Sequence, residues 1–377
     1  MTWATSGGST NAAAIDFAQL RMDRRRRLLD AMATHDLDVL ILGRPADIAY
    51  ATGARQLWTA GTRAFGPACI LVAATGHAHL LSVSDDGVPI EISHDDLFGL
   101  FWNPANLVAS LGAIRGLGAA RRVGTGSLSP GFPRLVQALA PRAEVVDGTP
   151  AIWAARAVKT SAEMACITTA TAIAESALTA MIDILRPGVT RRDLLVAYLE
   201  RIALLGCPTP PTEGVVGLGR LATDRRITDG ELVMLDPGAI FGGYESGVGR
   251  TWVAGPHPVS DAQFDLASRC KVAREIVLSA CRAGATGAEV RRAWHSTGEA
   301  DPPVPLVYGI GLGVEPPVVD GDIGGDAVLL AGAVLSVTSY VAADDAGEYL
   351  ERDVVVVGED GAEVLSRYGR GPAGQGA

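Results

Sequence analysis

The strongest constraint on the fold is a change of pattern at Arg156-Ala-Val-Lys159. Before it, helical and extended periodicities alternate; after it, long helical runs give way to a succession of strands. Upstream, an Arg-rich amphipathic segment near 20–35 leads into an apolar run at 37–42, the signature of a buried strand. Segments 68–73 and 79–83, split by Thr75-Gly76, predict a hairpin. Further strands are expected at 122–124 and 144–146, and helices at 107–117 and 133–139. This alternation predicts an α/β unit over residues 15–155.

Downstream, Thr160-x-x-Glu163 is a capping box, in which the Thr hydroxyl takes one free amide and the Glu reaches back to another. The helix it opens carries Met164, Ile167, Leu178, Met181 and Leu185 near one face and stops at Arg186-Pro187-Gly188. Thr190-x-x-Asp193 opens a second helix, to about residue 205. Strands are expected at 232–235, 240–253, 304–310, 333–341 and 349–357, with helices near 260–283 and 287–296. Helices followed by antiparallel strands predict an α+β unit with a curved sheet over 156–367. The Gly/Ser/Ala-rich ends, 1–14 and 368–377, read as mobile tails.

Composition narrows the function classes. With 48% apolar and 20% charged residues the chain can bury a full core, which removes disordered and collagen-like classes. Against 32 Lys+Arg stand 42 Asp+Glu, a net charge of −10, which argues against a nucleic-acid or anionic-membrane binder. An acid surplus of this kind suits an enzyme that holds a metal. Lysine occurs only at Lys159 and Lys271, which fits the codon usage of a GC-rich genome better than phosphate recognition. Cys69, Cys166, Cys207, Cys270 and Cys281 are widely spaced and read as buried small hydrophobes in a reducing compartment. The first fourteen residues have neither a charged leader nor an apolar core, so a cytoplasmic location is expected. The uncharged stretches 64–84 and 327–343 are interrupted by Gly, Pro, His or Thr and read as strands, with no membrane span.

Generic catalytic motifs are absent: the chain holds no G-x-x-x-x-G-K-[ST], no G-x-S-x-G and no H-E-x-x-H. Gly309-Ile-Gly311-Leu-Gly313 precedes a proline-rich segment, expected as a loop, and so lacks the helix a dinucleotide cradle needs. His77 and His79 read as exposed residues of the hairpin, and His94 in Ser93-His-Asp-Asp96 as part of a helix cap.

Five segments of the second unit resemble the creatinase, prolidase and Xaa-Pro aminopeptidase family, in the family's order. They are Leu235-Asp-Pro-Gly238, Gly243-Tyr-Glu-Ser-Gly-Val-Gly-Arg-Thr251, Tyr308-Gly-Ile-Gly-Leu-Gly-Val-Glu-Pro-Pro317, Leu335-Ser-Val-Thr-Ser339 and Glu351-Arg-Asp353. In the first unit, Asp47-Ile-Ala-Tyr-Ala-Thr-Gly53 is similar to the family's Asn-x-x-Tyr-Leu-Thr-Gly, and Arg156-Ala-Val-Lys159 to its domain junction. The resemblance covers residues 20–366 and implies a pita-bread domain behind a smaller α/β domain, in a homodimer.

The family's metallopeptidases hold two metals with two Asp, one His and two Glu. Carried over residue by residue, the first Asp is Asp236, but the second falls at Gly247. The His becomes Tyr308, and the two Glu become Thr338 and Arg352. No shuttle His stands in 214–227, the His before Glu315 is missing, and none of the six histidines falls at these positions. The resemblance therefore implies no metal and no cofactor at this site. Creatinase works without metal on a small guanidino compound, yet its acid falls here at Gly249, its Glu at Thr338, and its general-base His is absent. Neither family mechanism transfers intact.

If the strands keep the family's register, Asp236, Tyr308, Thr338 and Arg352 meet in one cavity, near Tyr244, Arg250 and Glu315 as substrate-binding residues. Glu351 and Asp353 then face away from Arg352. Asp236 would serve as general base, Tyr308 as proton donor and Arg352 as oxyanion or carboxylate clamp. Arg55, Trp58 and Arg63, after Gly53, would reach the pocket of a second subunit. Three readings stay open. The first is a metal-independent enzyme acting on a small amino-acid-, amide- or guanidino-type metabolite by C–N hydrolysis, elimination, cyclisation or isomerisation, with a role in bacterial specialised metabolism. The second is a non-catalytic pseudo-peptidase that binds a peptide, metabolite or protein partner, its Asp236–Arg352 pair filling a former metal site. The third is a metal-dependent Xaa-Pro peptidase.

Overall fold

The computed structural model describes residues 15–54, 69–82, 85–99, 104–127, 132–211, 215–217, 225–344 and 346–368. Its first part runs α1 (Phe17–Thr34), β1 (Val39–Leu42), α2 (Pro45–Thr52), β2 (Cys69–Val72), β3 (Ala78–Leu81) and β4 (Leu97–Phe98). It continues with α3 (Pro104–Gly112), β5 (Arg122–Gly126), α4 (Phe132–Leu139), β6 (Glu144–Asp147) and α5 (Thr149–Ala157). The strands form one mixed sheet, β4-β3-β2-β1-β5-β6. Strand β1 is apolar throughout because both its faces are covered. Leu40 and Leu42 pack with Leu20, Leu28, Tyr50 and Ile152 on one side, and Val39 and Ile41 with Leu107, Leu111 and Val136 on the other.

The second part runs α6 (Ser161–Ile184), α7 (Arg191–Leu204), β7 (Val215–Gly217), β8 (Leu232–Asp236), β9 (Gly238–Phe241), β10 (Tyr244–Gly247) and β11 (Arg250–Val253). Then come α8 (Asp261–Ala280), α9 (Gly287–His295), β12 (Val307–Gly311), β13 (Gly313–Val319), β14 (Val334–Ala343), β15 (Gly347–Val357) and β16 (Ala362–Val364). Capping boxes start all four helices, at Thr160/Glu163, Thr190/Asp193, Ser260/Gln263 and Thr286/Glu289. Helix α6 is long and apolar enough to cross a membrane by those criteria alone, but half of that span is buried within the fold.

A three-stranded sheet (β11-β8-β7) and a five-stranded one (β13-β12-β14-β15-β16) meet at a backbone bridge between Gly249 and Arg352. Val233 and Leu235 pack behind the first sheet on α6 and α7, and Leu335, Val337 and Val355 behind the second on α8 and α9. Because side chains alternate along a strand, the even-numbered residues of β8, β14 and β15 share the inner face.

Several expectations are corrected. The run 240–253 is three strands, because Gly242 and Gly243 at φ 59° and 88° fold β10 back onto β9. The proline-rich segment after Gly313 is strand β13, and its place at the sheet edge tolerates prolines that cannot donate to a ladder. Helix α2 was not anticipated; Pro45 starts it and Gly53, at φ 68°, ends it. Tyr368, expected in the mobile tail, stacks edge-on against Trp252 with ring centroids 6.4 Å apart. His79 is largely buried, not exposed, with Nδ1 3.2 Å from Asp96. His94 does lie in a short 3-10 turn capped by Ser93.

Candidate functional site

Asp236 closes β8 and is only 7% exposed. Arg352 on β15 stands opposite Thr338 on β14 in register. Its Nη1 donates to Asp236 Oδ2 and its Nε donates to Thr338 Oγ1 at 3.2 Å. Tyr308 on β12 is paired with Ser336 on β14, two residues from Thr338 on the inner face. The four residues expected to meet, Asp236, Tyr308, Thr338 and Arg352, therefore share one inner face. Burial pushes the Asp236 carboxyl above its usual range, and the Arg352 and Arg250 guanidiniums offset part of that push. Burial opposes the charge on Arg352 as well, but the Asp236 carboxylate outweighs it and holds the guanidinium protonated.

Two further residues shape this spot. Ser336 is 2% exposed, and its hydroxyl makes no hydrogen bond among the described residues. A buried hydroxyl without a partner costs about 1–3 kcal/mol, so it marks a place where a water or a ligand group belongs. The alternation of small polar and apolar residues in Leu335-Ser-Val-Thr-Ser339 was the signal that could have found it. At Gly249, a Cβ would lie 2.5 Å from Leu350 Cδ2, 2.9 Å from Arg352 Cβ and 3.3 Å from Asp236 Oδ1. The approach of β15 at Leu350 and Arg352, more than the ion pair itself, crowds out a side chain there.

Residues 165–359 match metallopeptidase family M24, and residues 24–158 match the creatinase/prolidase N-terminal domain. The chain belongs to family M24. It is 24% identical to a creatinase from a Bacillus species over 393 residues, covering 94% of this chain and 93% of that one. With the Xaa-Pro dipeptidase of Pyrococcus furiosus it shares 26% identity over 229 residues, 57% of this chain and 64% of that relative's length. The prolidase structure from Pyrococcus horikoshii superposes with a TM-score of 0.76 at 21% identity, covering 92% of this chain and 99% of that one. That likeness establishes the pita-bread fold with its N-terminal domain.

An M24 dinuclear centre needs several hard oxygen donors and bridging carboxylates to balance two divalent cations. Here the mapped positions supply one carboxylate, and its Oδ2 already accepts from a guanidinium. Among the described residues, no three His, Cys, Asp or Glu side chains are grouped to hold a metal ion. The residues present do not fit that centre.

Three residues expected to bind substrate, Tyr244, Glu315 and Arg250, have their polar atoms engaged by hydrogen bonds within the fold. Tyr244 is buried, its hydroxyl donating to Glu163 Oε1 at 2.6 Å and accepting from Arg24 at 3.4 Å. Glu315 takes Arg156 Nε and Nη2 at 3.0 and 2.6 Å and Lys159 Nζ at 2.8 Å. Arg156 also bonds Asp47, so this buried group ties α2, the domain junction and β13 together. Burial raises the Glu315 carboxyl, but Lys159 and Arg156 outweigh it and hold the group below the glutamate range. Arg250, 3% exposed, donates to Asp353 at 2.7 Å and to the carbonyls of Gly249 and Arg352 at 2.7 and 2.8 Å. It supports the backbone that carries the pair. Asp353 also accepts from Arg274, so it does face away from Arg352 as expected. Arg55, Trp58 and Arg63 lie outside the described residues.

Proposed function

We propose that this chain is a metal-independent M24 member that acts on a small amino-acid-, amide- or guanidino-type metabolite at Asp236, Arg352, Thr338 and Tyr308, as a homodimer. The observation that carries the reading is the Asp236–Arg352 pair on the inner face, beside a buried hydroxyl, Ser336, that makes no hydrogen bond among the described residues. An arginine is a fixed cation with several directed donors, so it can stabilise a developing oxyanion where the family otherwise uses a metal. A raised carboxyl pKa brings Asp236 nearer the range in which a general base works at neutral pH.

For C–N hydrolysis, Asp236 takes a proton from the attacking water and the water oxygen bonds the carbonyl or amidine carbon. Arg352 stabilises the negative charge that develops on the carbonyl oxygen; with a guanidino substrate, whose cation is neutralised by the attack, it serves as the clamp for the substrate's carboxylate. The C–N bond then breaks as Tyr308 gives its proton to the departing nitrogen, and Asp236 returns its proton to the tyrosinate. A binding-only reading is favoured by one fact: Asp236 and Arg352 already engage each other and must part before either acts. A metal-dependent Xaa-Pro peptidase would need carboxylates where Gly247, Thr338 and Arg352 stand.

The test is release of ammonia, urea or amine from a panel of amides, carbamoyl amino acids and guanidino acids. Asp236→Asn and Arg352→Met should each lower turnover by about a hundredfold or more while circular dichroism is unchanged. Turnover that neither variant affects, or ligand binding with no turnover in any form, would replace the catalytic reading with the binding one.

A further inference from the structure

A hydroxyl closed off from water at 2% exposure, and bonded to nothing among the described residues, calls for a partner that those residues do not supply. Ser336 is in that position on the inner face of β14. The register puts Tyr308 of β12 on one side of it and Val354 of β15 on the other, and Val334 and Thr338 lie two residues away along its own strand. Opposed residues of neighbouring strands point to one face with Cβ atoms about 5 Å apart, and residues two apart on a strand stand about 6.6 Å apart. Val334 and Val354 pack with Ile310 in the apolar core, so the face is apolar on that side of Ser336 and polar toward Tyr308, Thr338 and Arg352.

We propose that Ser336 binds the substrate directly, its hydroxyl donating to an acceptor oxygen, of a carbonyl or a carboxylate, at the most deeply buried end of the molecule. The inference rests on the reading of Asp236 and Arg352 as a substrate site, and it says which end of the metabolite that site holds.

The hydrogen-bonding capacity left on the inner face carries the class. A guanidinium has five N–H groups, and Arg352 spends two of them among the described residues, one from Nη1 on Asp236 and one from Nε on Thr338 at 3.2 Å. Thr338 Oγ1 accepts that second bond and gives its own hydrogen to no described residue. The Tyr308 and Ser336 hydroxyls make no bond among them either. Against these donors, Asp236 offers one carboxylate oxygen, Oδ1, that is not bonded by the pair. The ion pair is neutral as a unit, so the donors decide what the face takes. A carbonyl or carboxylate oxygen accepts only and can meet several of them at once. A guanidinium or ammonium brings donors to a face already rich in donors and sets a second cation beside Arg352. Because the core closes on Val334 and Val354, the oxygen that reaches Ser336 ends the molecule on that side.

The test uses the full-length protein, its Ser336→Ala variant and three probes. N-acetylglycine carries a carboxylate, N-acetylglycinamide carries amide carbonyls alone, and propylguanidinium carries no acceptor. Binding is read by calorimetry and saturation-transfer NMR, and stability by urea unfolding. At least one acceptor probe should bind the parent about tenfold or more tighter than propylguanidinium. Ser336→Ala should weaken that probe about fivefold or more without lowering the urea midpoint, because the hydroxyl it removes bonds nothing among the described residues. The acceptor probe that loses more affinity tells a carboxylate oxygen from a carbonyl one. Tighter binding of propylguanidinium, no saturable binding of either acceptor probe, or affinity unchanged in Ser336→Ala overturns the proposal. A urea midpoint that falls together with affinity overturns it too, since Ser336 would then be a structural residue. Any of these results, with turnover still dependent on Asp236 and Arg352, defeats the role of Ser336 alone. The expected Ser336 result, with turnover indifferent to Asp236→Asn and Arg352→Met, defeats the proposed chemistry and leaves the oxygen site standing.

Discussion

Replacing Arg352 with methionine removes the cation bonded to the Asp236 carboxyl, which is 7% exposed, and leaves it only the weaker Coulombic pull of Arg250, so the outcome can be worked from the structure. A buried carboxylate without a partner escapes by taking a proton. That escape costs about 1.4 kcal/mol for every pH unit between an unfolded aspartate value of about 3.9 and the working pH. At pH 7 the ceiling is therefore about 4 kcal/mol, in line with the roughly 3–5 kcal/mol seen when one partner of a buried pair is removed. At pH 5 the ceiling falls to about 1.5 kcal/mol. The sign follows from a folded-state pKa raised above the unfolded one: full stability at low pH, lost as pH rises through the folded value. Asp236→Asn alone should cost less, about 1–3 kcal/mol, because Arg352 keeps its bond to Thr338 and is 14% exposed. The double variant, with neither charge, should return to within about 1 kcal/mol of the parent and lose the pH dependence. The assay is urea unfolding at pH 5 and pH 7, followed by fluorescence and circular dichroism, with coincident transitions as the two-state check. Equal destabilisation of Arg352→Met at both pH values, with single effects that add within about 0.5 kcal/mol, would refute a coupled buried pair.

Two further outcomes follow from groups outside the pair. Lys159 and Arg156 hold the Glu315 carboxyl below its ordinary range, so its stabilising effect is present above about pH 4.3 and is lost as pH falls through the lower folded value. Glu315→Gln should cost about 3–5 kcal/mol at pH 7 and flatten the acid limb of the unfolding curve; an unchanged acid limb would contradict the assignment. All five cysteines are buried, and burial pushes Cys69 up to about 12 and Cys166 up to about 11. Ellman's reagent at pH 8 should therefore label the native chain only at the rate at which it opens, and rapid stoichiometric labelling would show that at least one thiol is accessible.

Local chemistry made much of the architecture legible. Thr160-x-x-Glu163 and Thr190-x-x-Asp193 marked helix starts because a capping box is satisfied within four residues. The meeting of Asp236, Thr338 and Arg352, and the opposite facing of Asp353, followed from strand alternation once the motifs set the register. The hydrogen-bond partners of Tyr244 and Glu315 were not legible because what fixes them is far away in sequence. Glu163 lies 81 residues from Tyr244, and Arg156 lies 159 residues from Glu315. No local pattern announces such a partner. The hairpin at Gly242-Gly243 was hidden inside an apolar, strand-like run, where two glycines weigh little against the flanking propensity. Ser336 escaped notice because a serine in a strand is ordinary until its burial and empty hydrogen-bonding capacity are seen together.

Metal content decides most directly whether an arginine has taken the place of the family's cations. The full-length protein, produced with added manganese, cobalt or zinc and then dialysed, should carry only substoichiometric metal, with no difference between the parent and Asp236→Asn. One or two equivalents of metal that Asp236→Asn loses would show that Asp236 is a ligand and that Arg352 does not stand in for a cation.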